Sequence, residues 1–248
     1  MKISQDAKEK TKIKILRCAV DLMIKKGFKD TSMREIAQNA DVSNPTIYNY
    51  FATKEQILYS YIEYIHSLSV ESLKTIPDFE TYTLREQLQS FIEIQLQFYL
   101  EDREFIEQIY DMAFESSSVR LDNLYDTNRI FIQTIQEILD IAIEAGEINK
   151  PPFLEYVPLL FWDYFVIVVA YWIKDDSKEF ENTTQFIDYS MSLIESVLHS
   201  NMMQHASNLA LFFLKTHFKN SLESLITKKM KFGKKSFTKR RLGDIIHG

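Results

Sequence analysis

The scarcity of glycine and proline is the feature that most restricts how this chain can fold. Before residue 230 the only glycines are Gly27 and Gly146, and the prolines are Pro45, Pro77, Pro151, Pro152 and Pro158. Turns and loops depend on these two residue types, so a chain that lacks them over long stretches favours long helices with few connections. We therefore expect an all-α fold.

Local start and stop signals divide the first fifty residues into three helices. The first carries apolar residues at helical spacing and ends at Gly27. Ser32 and Glu35 form an S-x-x-E capping box that opens a short second helix. Ser43 is placed to cap a third helix over Asn44–Tyr50, in which a proline in the first turn is tolerated.

The same signals predict a series of longer helices in the rest of the chain. The first is a helix over 54–75, opened by a second capping box at Thr53 and Gln56. The others run from Thr83 to Leu100, Asp102 to Phe114, Ser118 to Ala145, Pro152 to Lys174 and Lys178 to Ser200.

The second and third helices are joined by a tight turn at Asp41, a residue that tolerates the left-handed conformation. Two short helices joined in this way allow the second to lie in the DNA major groove while the first supports it. A small apolar core would fix the angle between them, formed by Ile36, Ala37, Val42, Ile47 and Phe51. The pattern indicates a helix-turn-helix that reads DNA.

This segment resembles the DNA-binding domain of the TetR family of transcriptional regulators. The resemblance rests on Lys26-Gly27-Phe28, Thr31-Ser32, Glu35-Ile36-Ala37, Val42-Ser43, Thr46-Ile47-Tyr48, Phe51 and Lys54-Glu55. It covers roughly the first quarter of the chain. The sequence departs from the usual family pattern at Asp41, Pro45, Asn49, Tyr50 and Ala52, which leaves the operator sequence open.

The expected organisation is an N-terminal helix-turn-helix DNA-binding domain over 1–53 and a larger helical domain over 54–203 for effector binding and dimerisation. The helix over 54–75 links the two. Residues 204–248 would add a C-terminal helix and a basic tail, whose role is open between a flexible solubilising end, a phosphate contact and docking on the acidic body.

Two groups of side chains are the candidates for DNA contact. Hydroxyls, phenols and an ammonium near helix starts suit phosphate oxygens: Thr31, Ser32, Ser43, Tyr48, Tyr50 and Lys54. Residues of the third helix are placed to meet base edges: Asn44, Pro45, Thr46 and Asn49. An alternative for each serine is a purely capping role, and for each tyrosine a packing role.

Charge is unevenly distributed along the chain. Residues 1–60 hold 11 Lys and Arg against 7 Asp and Glu, and residues 228–248 hold 8 against 1. The intervening segment holds 10 against 27, so a phosphate surface would attract the two ends and repel the middle. Any contact with nucleic acid is expected at the termini.

The expected partners are double-stranded DNA with a palindromic operator and a second copy of the chain. The helices over 152–174 and 178–200 are the candidates for the homodimer interface, with their own core as the alternative. The segment Val157–Ile173 is apolar except for Asp163 among charged residues, but it is at the short limit for a bilayer span. We expect no membrane partner.

The resemblance implies that the larger domain holds a small-molecule effector. Its candidate lining combines aromatic side chains with one buried acid: Phe91, Tyr99, Tyr110, Phe114, Trp162, Asp163 and Phe165. Such an aromatic set with a carboxylate suits a cationic or amphipathic ligand. The alternative is that these side chains are only core.

Nothing in the sequence predicts catalysis. It has no H-E-x-x-H, no cysteine pair and no glycine-rich phosphate loop, so we expect no enzyme, no metal and no cofactor. The lone Cys18 suits the reducing cytoplasm. The resulting prediction is a repressor released from its operator by an effector. The alternative is an architectural or partner-recruiting DNA-binding protein without an effector.

Overall fold

The computed structural model describes residues 5–114 and 128–200, together with residues 205, 208 and 209, and all regular structure in that part of the chain is helical. The all-α expectation is confirmed. The α-helices are α1 Gln5–Lys26, α2 Met33–Asn39, α3 Asn44–Tyr50, α4 Lys54–Leu73, α5 Leu84–Leu100, α6 Arg103–Phe114, α7 Arg129–Glu144, α8 Val157–Ile173 and α9 Glu181–His199.

All of these helices belong to one compact unit, Met1–His199. Within it we call α1 to α3 the head and α4 to α9 the body. The start of the helix predicted from Ser118 lies outside the described residues. So does the C-terminal helix and tail predicted for 204–248, apart from residues 205, 208 and 209.

Helix termini with strong local signals are where the sequence places them. The hydroxyl of Thr83 accepts a hydrogen bond from the Glu86 amide, and the Glu86 carboxylate accepts one from the Thr83 amide, which completes a capping box at α5. Thr53 caps α4 by accepting from the Gln56 amide, but the Gln56 side chain accepts from the Ala52 amide and not from Thr53, so the predicted second capping box is incomplete. Gly146, with φ +74°, takes the left-handed conformation just beyond the end of α7.

The last two helices begin later than predicted. The helix expected to open at Pro152 starts at Val157, because Phe153 takes a left-handed conformation with φ 59° and a 3₁₀ turn follows it. The helix expected from Lys178 starts at Glu181, because Glu179 is left-handed with φ 54°. Left-handed conformations of bulky residues have no local sequence signal.

The head is held on the body through α1. Arg17 donates a hydrogen bond of 2.9 Å to the Asp102 carboxylate, which also accepts one of 2.6 Å from the Tyr61 hydroxyl. Asp102 is buried at the start of α6. Further along α6, the side chain of Gln108 donates to the backbone oxygen of Met23 near the end of α1.

The neighbouring residue, Arg103, ties α6 to the C-terminal end of α8. Its guanidinium donates to the backbone oxygens of Trp172, Ile173 and Asp175 at 2.7–3.2 Å. Carbonyls in the last turn of a helix lack intrahelical partners, so this arginine supplies them with donors and with positive charge. The first turn of α6 therefore touches both the head and α8.

Helix α8 combines a buried face with an exposed apolar one. Phe161, Trp162, Phe165 and Trp172 are buried, whereas Leu160 and Ile167 are 62% and 57% exposed. By length and composition alone the segment Leu154–Ile173 could cross a membrane, and 44% of its most apolar 18-residue stretch is buried. Core helices satisfy the same criteria, so this single segment is weak evidence for a membrane span.

Replacing Asp102 with alanine should lower the free energy of unfolding by about 2 kcal/mol, because the buried Tyr61 hydroxyl loses its acceptor and Arg17 loses its partner. Adding Tyr61→Phe should restore part of the loss, since the orphaned hydroxyl is then gone. Urea unfolding at one protein concentration measures both. Glu107→Ala, at an exposed position of α6, is the control, and an equal loss in that variant would contradict the assignment.

Candidate DNA-binding face and effector core

The turn between α2 and α3 is built from local hydrogen bonds. The Val42 amide donates to the Ala37 oxygen at 2.9 Å, and Asp41 takes the left-handed conformation with φ 53°. Ser32 completes a capping box with Glu35 at the start of α2, and Ser43 accepts from the Thr46 amide at the start of α3. These contacts fix the two helices before any ligand is present.

Helix α3 has one buried face and one exposed face. Ile47 and Phe51 are buried inside the head, together with Ile36 and Ala37 of α2, while Val42 is half-buried. The opposite face presents Asn44, Pro45, Tyr48 and Asn49 to solvent, with Tyr48 55% exposed. Thr46 and Tyr50 are half-buried between the two faces. The residues predicted to meet base edges thus lie mainly on the exposed side.

Thr31 and Lys54, both predicted phosphate contacts, are hydrogen-bonded to the backbone of the head. Thr31 is 1% exposed, and its hydroxyl donates to the Gly27 oxygen. The Lys54 ammonium donates to the backbone oxygens of Phe28, Lys29 and Thr31 at 2.6, 3.3 and 2.6 Å, and it lies 4.5 Å from the centre of the Phe28 ring. All three of its protons are used, so Lys54 fixes the loop between α1 and α2.

One exposed cation of the head was not among the predicted contacts. Arg34 is exposed on the first turn of α2, two residues after the Ser32 cap. It is the only Lys or Arg between Lys29 and Lys54 in the sequence, which is the signal that could have identified it. A neighbouring cation, Lys26, instead pairs with Glu35, and hydrogen bonds from Lys26 and Ser32 lower the pKa of that carboxyl to about 2.

Four of the predicted effector residues meet in the body. Phe91 and Phe165 each lie 5.0 Å from Phe131, Trp162 lies 5.2 Å from it, and Tyr99 lies 6.1 Å from Phe165, all measured between ring centres. All five side chains are buried. We call them the aromatic core. Phe131 on α7 is the shared neighbour, and the sequence did not single it out.

The other three predicted effector residues lie elsewhere or are not described. Asp163 is exposed on α8, so the prediction of a buried acid among the aromatic side chains is wrong. The physical reason is its position on the helix, one residue after the buried Trp162 and therefore about 100° away. Tyr110 is half-buried on α6, and the side chain of Phe114 lies outside the described residues.

A buried polar pair missed by the sequence reading lies against the aromatic core. His66 on α4 and Gln95 on α5 are both fully buried, and 3.1 Å separates Nδ1 of the histidine from Oε1 of the glutamine. The His66 ring lies 5.5 Å from Phe131 and 5.7 Å from Trp162. Burial lowers the pKa of His66 to about 4, against the opposing effect of the Gln95 hydrogen bond.

Two short helices fixed at a tight turn, with one face of the second exposed, define a helix-turn-helix protein. Residues 15–60 match the sequence family described as "Bacterial regulatory proteins, tetR family", and residues 87–213 match "Tetracyclin repressor-like, C-terminal domain". The second match alone covers half of the chain. The chain therefore belongs to the TetR family of transcriptional regulators, as its resemblance predicted.

Curated relatives in Bacillus subtilis (strain 168) are of the same kind. The HTH-type transcriptional regulator YerO is 31% identical over 96 residues, which is 38% of this chain and 33% of that protein. The probable HTH-type transcriptional regulator YttP is 28% identical over 154 residues, which is 61% of this chain and 70% of that protein. The match thus spans about a third of YerO and a larger part of YttP.

Solved structures share the fold at low sequence identity. A TetR-family regulator of Syntrophomonas wolfei has a TM-score of 0.61 at 19% identity, covering 76% of this chain and 96% of that one. FadR of Bacillus subtilis in complex with stearoyl-CoA has a TM-score of 0.56 at 20% identity, covering 75% and 99%. FadR of Thermus thermophilus in complex with lauroyl-CoA has a TM-score of 0.53 at 20% identity, covering 71% and 92%.

Replacing Lys54 with methionine should destabilise the protein by about 1 to 3 kcal/mol, because three carbonyl oxygens lose a charged donor while the apolar stem remains. Urea unfolding followed by circular dichroism measures the loss. Lys25→Met, on the exposed side of the last turn of α1, is the matched control. Unchanged stability in Lys54→Met would contradict the structural role.

The buried His66 should lower the free energy of unfolding as the pH decreases. Its pKa in the folded protein is about 4, below the ordinary value of about 6.5. Between these two pH values His66 is protonated in the unfolded chain but neutral in the native state. The stability present above pH 6.5 is lost as the pH falls towards 4. His66→Leu should reduce the loss between pH 7 and 5 by about 2 kcal/mol. His199→Gln, at an exposed position, should not, and an unaltered profile in His66→Leu would contradict the assignment.

Proposed function

We propose that this protein is a homodimeric repressor that binds a palindromic operator through α3 and leaves it when a small, largely apolar effector binds in the body. The observation that carries the proposal is the exposed face of α3, held at a fixed angle by the cap and turn contacts of the head. The excess of positive charge over residues 1–60 suits the same role.

The exposed side chains of α2 and α3 suggest two kinds of DNA contact. The amides of Asn44 and Asn49 suit the donor and acceptor of an adenine edge, and the ring of Pro45 suits a thymine methyl. Arg34 and Tyr48 suit phosphate oxygens, and so does Ser43 when its hydroxyl donates away from Thr46. The Ser32 hydroxyl already donates to the Glu35 carboxylate, so it would have to leave that partner to reach a phosphate. We leave Thr31 and Lys54 out of the contact surface.

The homodimer is proposed to form through one apolar stripe on α8 and α9. Its members are exposed large side chains at helical spacing: Leu160, Ile167, Tyr171, Tyr189 and Leu193. The two helices are joined within the chain by the hydrogen bond between Tyr164 and Ser190 and by the stacked rings of Tyr171 and Phe186. A second copy related by a twofold axis would cover the stripe with the same residues.

The effector site is proposed to lie at the aromatic core. Two proteins with the same fold have acyl-CoA molecules bound, stearoyl-CoA in one and lauroyl-CoA in the other, which supports a ligand with a large apolar part. The exposed position of Asp163 removes the reason to expect a cation. We place the protein in the cytoplasm, where DNA and small molecules are both accessible.

The contacts of α6 offer a route from effector to DNA. A ligand that displaces α8 would move the carbonyls bound to Arg103, and the adjacent Asp102 holds Arg17 of the head. Small shifts at a packed site are transmitted through such contacts when the element has two arrangements. The separation of the two heads in a dimer would change with the position of α1.

Selection of bound sequences from a random duplex pool, followed by titration of the selected duplex at several salt concentrations, tests the proposal. We expect an enriched palindrome, and Arg34→Ala should reduce the salt slope by about one unit, because one phosphate contact is lost. Lys74→Ala, whose ammonium pairs with Glu71 in the body, is the control. A pool without enrichment would contradict sequence-specific binding.

The dimer is tested on the same duplex. Leu193→Glu places a charge at a side chain that is 66% exposed, so the subunit should fold while the dimer dissociates and binding to the palindrome is lost. Ile141→Glu on α7, also exposed and outside the stripe, should leave both intact. Sedimentation velocity measures the mass, and a dimeric Leu193→Glu would move the interface elsewhere.

A further inference from the structure

The buried pair of His66 and Gln95 is chemically incomplete. Within the described part of the chain, Nε2 of the histidine and Nε2 of the glutamine have no hydrogen-bond partner, although both are buried. By contrast, the buried hydroxyl of Ser69, one turn further along α4, donates to the Ile65 oxygen. An unpaired buried polar atom costs stability, and here two such atoms belong to one hydrogen-bonded pair.

The hydrogen-bonding capacity of this pair does not depend on how its protons are assigned. If the His66 Nδ1 carries the proton and donates to Gln95 Oε1, the ring offers an acceptor at Nε2 and the amide offers its NH₂. If the tautomer and the amide are both reversed, the ring offers a donor and the amide an acceptor. In either case one acceptor and at least one donor stay free.

The surroundings of the pair exclude a charged partner. None of the buried residues of α4, α5, α7 and α8 is an Asp, Glu, Lys or Arg. A ligand group carrying a full charge would be desolvated there without a counterion, which is costly. The aromatic rings of Phe131 and Trp162 beside His66 instead suit an apolar body attached to a neutral polar group.

We propose that His66 and Gln95 form the polar subsite of the effector pocket and select an apolar ligand whose neutral polar group both donates and accepts a hydrogen bond. A hydroxyl, a primary amide and an un-ionised carboxylic acid satisfy this condition. An ester or thioester only accepts, so it would leave one atom of the pair unpaired. The inference rests on the effector binding proposed above and adds the class of ligand.

Isothermal titration of the full chain with octanamide and with methyl octanoate tests this subsite. The two probes are similar in length and differ in the amide donor. The unaltered protein should bind octanamide at least about tenfold more tightly, because only that probe pairs both free atoms. In the double variant His66→Leu with Gln95→Met, the ratio should fall to about one, and Ser69→Ala should keep the original ratio.

The thermal midpoint of the double variant, measured without ligand, is the second readout. A pair kept for a ligand is unsatisfied in the free protein, so replacing both members with apolar side chains should leave the midpoint unchanged or raise it. A lower midpoint would show a structural pair and overturn the inference. So would no binding of octanamide, equal binding of the two probes by the unaltered protein, or a preference that persists in the double variant.

This outcome is separable from that of the proposed function. Loss of preference between the probes, with the selected duplex still bound in a sequence-specific way, would remove the polar subsite and leave the repressor. Failure to enrich any duplex, with the octanamide preference intact, would leave a ligand-binding subsite in a protein that does not read DNA.

Discussion

The contact of Arg17 and Tyr61 with the Asp102 carboxylate is the constraint on which the arrangement of head and body depends. Helix α4 joins the two covalently, and α1 packs against both α4 and α6. The carboxylate fixes α1 against α4 and α6 at one point, and Gln108 adds a second at the end of α1. With α1 held at two points, α2 and α3 take a defined position relative to the body.

The same turn of α6 also belongs to the body's core. Arg103 binds the terminal carbonyls of α8, whose buried face carries Trp162 and Phe165 of the aromatic core. Adjacent residues thus connect the proposed ligand site with the DNA-reading head. The polar pair of His66 and Gln95 fits this picture, because a protein that must respond to a ligand retains buried groups that a purely structural core would replace.

Local signals explain why much of the fold could be predicted from the sequence. The capping boxes at Ser32 and Thr83 and the left-handed Asp41 depend on side chains within a few residues, so α2, α3 and α5 start within one residue of their predicted positions. The start of α8 was missed because the left-handed conformation of a bulky residue such as Phe153 has no local sequence signal. Two charged residues of the candidate site were named from the sequence, but their contacts differ from those expected because contacts depend on the folded chain.

Lys54 and Asp163 are the two residues whose contacts could not be predicted from the sequence. Residue type and spacing place an ammonium near the DNA face, but whether it meets phosphate or the carbonyls of a loop some 25 residues earlier depends on the folded chain. A carboxylate within an apolar helix is easily predicted to be buried. A shift of one residue rotates a side chain by about 100° around the helix, which is enough to expose it. His66 gave no signal in the sequence, because only the structure shows that it is buried and that its Nε2 has no hydrogen-bond partner.

Hydroxyl-radical footprinting of the protein on its selected duplex tests the central claim most directly. A twofold dimer whose α3 helices enter the major groove should protect two patches with centres about 34–36 Å apart, or a multiple of that distance, with matching patterns in the two halves. A single protected patch, or uniform weak protection that disappears with salt, would contradict the account of two heads held in fixed register by the body.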